Sequence, residues 1–95
     1  MTYVFLDGDA IRSNADLHTA FESALSLPDW YGGNLDALHD VLTERSDPVG
    51  IVIVHEEHLR EALGRRAAGF FRLLRDLQKD DAVRVAVLSL DTPEL

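Results

Sequence analysis

Gly50-Ile51-Val52-Ile53-Val54 is an almost unbroken apolar run of strand length. Asp47-Pro48 breaks the chain before it, and His55-Glu56-Glu57-His58 follows it. No polar residue alternates with the branched ones. Such a run suits a strand covered on both faces, as in a parallel sheet. Its neighbours must come from elsewhere in the chain, and two segments qualify. Thr2-Tyr3-Val4-Phe5-Leu6 is rich in β-branched and aromatic residues and stops at Asp7-Gly8-Asp9, a turn signal. Val83-Arg84-Val85-Ala86-Val87-Leu88 closes as a third strand, ahead of a frayed tail at 91–95.

Helical sequence lies between these segments. Ser13 is the expected N-cap of a first helix, with Asp16 in the capping-box position three residues on. Leu17, Phe21, Ala24 and Leu25 recur at helical spacing as its buried stripe, and Pro28 cannot continue it. Asn34 is a natural N-cap for a second helix, whose core stripe is Leu35, Leu38 and Leu42. Residues 56–79 read as helical with an interruption near Gly64, and Phe70, Leu73, Leu74 and Leu77 form the apolar face. The order β-α-α-β-α-β specifies an α/β fold. A small three-stranded, mostly parallel sheet is packed with three to four helices through right-handed crossovers. Ninety-five residues are expected to form one domain spanning 1–95.

Composition excludes several classes of function. The chain has no cysteine, which removes disulfides and thiolate metal sites. No basic signal region opens it, and no segment approaches the roughly 20 apolar residues of a membrane span. A cytoplasmic protein is expected. Net charge is -8, and its distribution is uneven. Residues 1–56 hold ten acids against Arg12 and Arg45, whereas residues 57–95 are balanced. An acidic surface repels nucleic acid and anionic membranes and attracts basic proteins.

The acidic half contains the chain's most distinctive stretch, Leu27-Pro28-Asp29-Trp30-Tyr31-Gly32-Gly33-Asn34-Leu35-Asp36-Ala37-Leu38-His39-Asp40-Val41-Leu42-Thr43. An aromatic-glycine loop here feeds a helix on which Asp36, Asp40 and Thr43 form one outward row. Like charges four apart weaken a helix by roughly a few tenths of a kcal/mol. Asp36 is favoured near the helix N-terminus, and Asp40 has no such structural role. The row is either a solvated acidic face or a binding surface. Tyr31 is either a lid over the core or, like Trp30, an interface anchor. Asp76 and Asp80 form a second acidic pair, for which a surface network with Arg75 and Lys79 is the competing account.

Catalytic and cofactor signatures are weak. His55 and His58 with a carboxylate suggest zinc, but their spacing is not that of a zinc protease and no third ligand follows. An acidic first helical turn explains the same residues, so neither a metal nor any other cofactor is expected. His39 and Asp40 are adjacent and poorly placed to pair as an acid-base couple.

The stretch 27–43 resembles the barstar family of intracellular inhibitors of secreted microbial ribonucleases. Weaker matches extend from Ile11-Arg12-Ser13 and Asp16-Leu17-His18 to Arg75-Asp76 and Ala86-Val87-Leu88-Ser89. The resemblance implies a non-enzymatic inhibitor, monomeric when free, that plugs a basic nuclease site with its second helix and the preceding loop. It implies that Asp40 takes the place of the RNA phosphate, and that Trp30 packs on the nuclease's catalytic histidine. It further places Gly32, Asn34, Leu35, Asp36, His39, Thr43 and Asp76 at contact positions and Asp80 at a peripheral one. The implied partner is a basic secreted ribonuclease or a related toxin. The alternative is a binding or immunity module of the same fold for another basic partner. Three features depart from the family pattern: His39 replaces a tryptophan, Glu44-Arg45 replaces a glycine-tryptophan pair, and the family's cysteines are absent.

Overall fold

A computed structural model describes residues 1–28, 31–80 and 84–90. Its elements are β1 (Thr2–Asp7), α1 (Asn14–Leu25), α2 (Leu35–Glu44), β2 (Val49–Val54), α3 (Glu56–Leu63), α4 (Arg66–Lys79) and β3 (Val85–Leu90). The strands form one parallel sheet in the order β1-β2-β3. Thr2 aligns with Val49 and Asp7 with Val54, while Val49 aligns with Val85. The sheet is therefore the α/β arrangement expected. The helical run 56–79 divides at Gly64, whose φ of 57° no β-carbon residue adopts easily. The third strand starts later and ends later than its apolar pattern suggested. Residue 83 and the tail 91–95 lie outside the described residues.

Strands laid down in chain order with right-handed crossovers send every connecting helix across the same face of the sheet. The burial pattern agrees. Val4, Leu6, Val49, Ile51, Ile53 and Val85 are buried on the helix side. On the opposite side Phe5 is 69% exposed and Leu88 56% exposed. This corrects the expectation that helices cover β2 on both faces. The far face of β2 is shielded instead by its neighbours' side chains, and a Cβ at Gly50 would come within 2.8 Å of the Tyr3 ring.

Local signals act as the sequence suggests, with one variation. Ser13 Oγ accepts the Asp16 amide at 3.2 Å, and Asn34 Oδ1 accepts the Ala37 amide at 2.8 Å. The Asp16 carboxylate accepts the amide of Arg12, one residue ahead of the usual capping-box partner. In the core, Phe21 and Phe70 meet edge to face at 6.1 Å and are both fully buried. Among the described residues no helix is long and apolar enough to cross a membrane.

Truncating Phe70 removes that ring pair and leaves a cavity between α1 and α4. Phe70→Ala should cost about 3–5 kcal/mol in urea denaturation. A loss below about 1 kcal/mol would contradict this description of the core.

Candidate functional site

Helix α2 is held by Leu38 and Leu42, both buried, and packs principally against α4. Gly69 permits the close approach: a Cβ there would stand 3.2 Å from Leu35 Cδ1. This seating leaves the opposite side of α2 in solvent. Asp36 and Asp40 are exposed on it, and Thr43 is half-buried one turn on, its hydroxyl donating to the Asp40 carbonyl at 3.1 Å. Among the described residues Asp36 has no hydrogen-bond or ion-pair partner. Asp40 has only a 3.7 Å approach to His39 Nδ1, beyond hydrogen-bond distance.

Beside this row runs a shallow groove of about 280 Å³ between α2 and α4, lined by Leu35, Asp36, His39, Gly69, Arg72, Leu73 and Asp76. Four candidate residues from segments 40 positions apart thus meet in one place. No ion pair joins Asp76 to Arg72, Arg75 or Lys79 among the described residues, so a salt-bridge network does not account for this acid. Asp80 is placed differently. It is the C-cap of α4 rather than a residue on its face, and it does not line the groove. Arg72 and Gly69 are the groove residues that sequence reading missed. Their signal was available: 69, 72 and 76 recur at helical spacing on α4. A larger groove of about 450 Å³ between α3, α4 and β3 contains none of the candidates. There Glu56 is bonded to Ser89 and Arg60, and Arg60 lies over the Phe71 ring at 3.9 Å.

The loop before α2 is anchored from below. Tyr31 is 7% exposed, and its hydroxyl lies 2.5 Å from Nδ1 of His18, which is 3% exposed. Tyr31 is therefore a core lid, one of the two roles its sequence allowed. Burial pushes its hydroxyl pKa up to about 12, so the hydroxyl stays protonated in its hydrogen bond with His18 Nδ1. The other ring nitrogen, His18 Nε2, is a buried atom without a partner among the described residues. Gly32 is exposed above this pair, Gly33 takes a φ of 66°, and Asn34 caps the helix. Trp30 lies outside the described residues.

Residues 1–90 match the model of a family described as Barstar (barnase inhibitor). The chain belongs to the barstar family. A Bacillus subtilis (strain 168) protein named "Putative ribonuclease inhibitor YrdF" is 32% identical over 81 residues, covering 84% of this chain and 89% of that one. The family description names inhibition and not catalysis.

Against that membership, the departure at Arg45 has a structural answer. Its guanidinium grips both carboxylate oxygens of Asp47 at 3.1 Å and donates to the Leu25 carbonyl at 3.3 Å. The cation is turned inward as a clamp between α1 and the start of β2, and does not stand free beside the acidic row. Elsewhere, the turn after β1 brings Asp9 against His55 and His58. A hydrogen bond from His58 holds the Asp9 carboxyl below its usual range, and the same bond raises the His58 pKa.

Burial holds His18 below its ordinary pKa of 6.5, against a smaller opposing pull from Glu22. The unfolded chain takes up this proton near pH 6.5 and the folded chain only at lower pH. Stability should therefore fall as pH drops below about 6.5. The exposed Asp9–His58 pair acts in the opposite sense, weakly. Thermal melts between pH 7 and 5.5 should show the decline, and His18→Gln should flatten it; an unchanged slope would assign it to another group.

Proposed function

We propose that this protein inhibits a basic secreted ribonuclease by laying α2 and the loop before it into the enzyme's active site. The observation that carries this reading is the acidic surface formed by Asp36, Asp40 and Asp76, with which no lysine or arginine forms an ion pair among the described residues. Family membership and the ribonuclease-inhibitor relative point to the same class of partner.

The chemistry is that of a decoy. An enzyme that cleaves RNA places cations where the phosphate and its developing charge must sit. A carboxylate held on a packed helix presents negative charge to those cations with little ordering cost. Asp40 is the centre of this arrangement, one turn from Asp36 and from Thr43. Trp30 and the Gly32–Asn34 backbone supply contact from the loop, and Asp80 lies peripherally. Charge of this sign also steers a basic partner toward the face before contact. The inhibitor works in the cytoplasm as a monomer and needs no cofactor.

His39 and Arg72 share the groove with Asp36 and Asp76. The partner must therefore offer acceptors opposite this strip as well as cations opposite Asp40. That mixed pattern favours a partner with its own complementary features, either a ribonuclease or another basic toxin against which the protein confers immunity.

Inhibition assays with barnase and related small secreted ribonucleases test the proposal. The wild-type protein should inhibit, and Asp40→Ala should weaken inhibition by about thirtyfold or more, corresponding to an interface anchor worth about 2 kcal/mol or more. Full inhibition by Asp40→Ala would remove Asp40 from the centre, and inhibition of none of these enzymes would point to another toxin.

A further inference from the structure

The parallel register of β1 and β2 ends with Asp7 beside Val54, and the Gly8 amide continues it by donating to the Val54 carbonyl at 2.9 Å. Gly8 is pressed so closely onto the start of α3 that a Cβ would run into the His55 carbonyl and the Leu59 amide. This approach delivers Asp9, 46 residues away in sequence, to His55 and His58. Asp9 Oδ1 contacts His58 Nδ1, and Oδ2 lies 3.3 Å from His55 Nε2. The two imidazoles stack 5.7 Å apart at 17°, and one ligand atom from each residue lies within 4.8 Å of the others. The missing third ligand of the His55-Glu56-Glu57-His58 motif thus comes from the opposite loop.

We propose that Asp9, His55 and His58 bind a divalent transition metal of the zinc class. Two imidazole nitrogens and one carboxylate oxygen are a donor set that zinc accepts, whereas calcium and magnesium prefer all-oxygen sites. Zinc bonds of about 2.0–2.2 Å in tetrahedral geometry separate ligand atoms by roughly 3.3–3.6 Å. The Asp9–His55 separation already has that length. Binding displaces the proton shared by Asp9 and His58, and water completes the fourth position.

His55 occupies the N-cap of α3 with φ 55° and ψ 53°, and its side chain makes no capping bond. Its Nε2 is turned to Asp9 instead of to the helix end, which leaves the imidazole available as a ligand. The positive end of α3 opposes a cation, but Glu56 and Glu57 in its first turn offset that field. All three ligands are solvent-exposed, so an ion reaches them without opening the fold. It would staple the β1–α1 turn to the β2–α3 junction at the carboxyl ends of two strands.

Titration of chelator-stripped protein with zinc chloride, followed by calorimetry and thermal melting, tests the site. The wild type should bind one equivalent and melt at a higher temperature with zinc. Asp9→Asn and His58→Gln should each abolish both effects, whereas Glu22→Gln on α1 should retain them. Circular dichroism checks that the variants are folded. Absence of zinc binding by the wild type would overturn the proposal. So would binding that survives both ligand substitutions, since the ion would then sit elsewhere on the acidic surface.

Discussion

Three parallel strands in chain order leave the connecting helices only one face of the sheet to cover. That constraint determines what each helix can do. Helix α1 packs on β1 and α4 on β3, while α2 packs mainly on α4. It is anchored by one leucine stripe and wet on the other side. A helix enclosed in the sheet's own core could not carry Asp36 and Asp40 without desolvating them at several kcal/mol each. In this outer position their cost is a mutual repulsion of a few tenths of a kcal/mol. Burial of Leu38 and Leu42, at about 1.5–3 kcal/mol each, outweighs it.

The same seating gives the acidic surface its shape. Leu35 rests over Gly69, which sets α2 close enough to α4 for Asp36 and Asp76 to share a groove. Tyr31 and His18 tie the preceding loop to α1, so its approach to the helix is fixed by a buried hydrogen bond. Arg45 closes the far end of α2 by clamping Asp47 and the end of α1. The face is therefore pre-organised by apolar packing and by polar contacts that lie beneath or beside it.

Much of this was legible in the sequence because it is local. Ser13 and Asn34 announced their helices, Gly64 announced a break, and the period of Leu17, Phe21 and Leu25 announced a buried face. The parallel sheet followed from the Gly50–Val54 run, although the inference that both faces are covered did not hold. A strand can be shielded by its neighbours' side chains, as Tyr3 shields Gly50, and residue pattern does not distinguish that from cover by a helix. The features that escaped depend on long-range approach. Nothing near His18 in sequence indicates Tyr31 as its partner, and nothing near His55 indicates Asp9. The helix ends at Lys79 as its pattern indicated, which leaves Asp80 at the C-cap and Asp76 alone of that acidic pair in the groove.

The central claim is that the α2 face and the groove beside it form the surface that meets the ribonuclease. Amide hydrogen exchange of the protein, alone and in complex with a ribonuclease it inhibits, tests that most directly. The account predicts added protection in residues 31–44 and around 72–76, with β1 and β3 unchanged. Protection concentrated on the exposed sheet face around Tyr3, Phe5 and Leu88, with α2 unaffected, would contradict it.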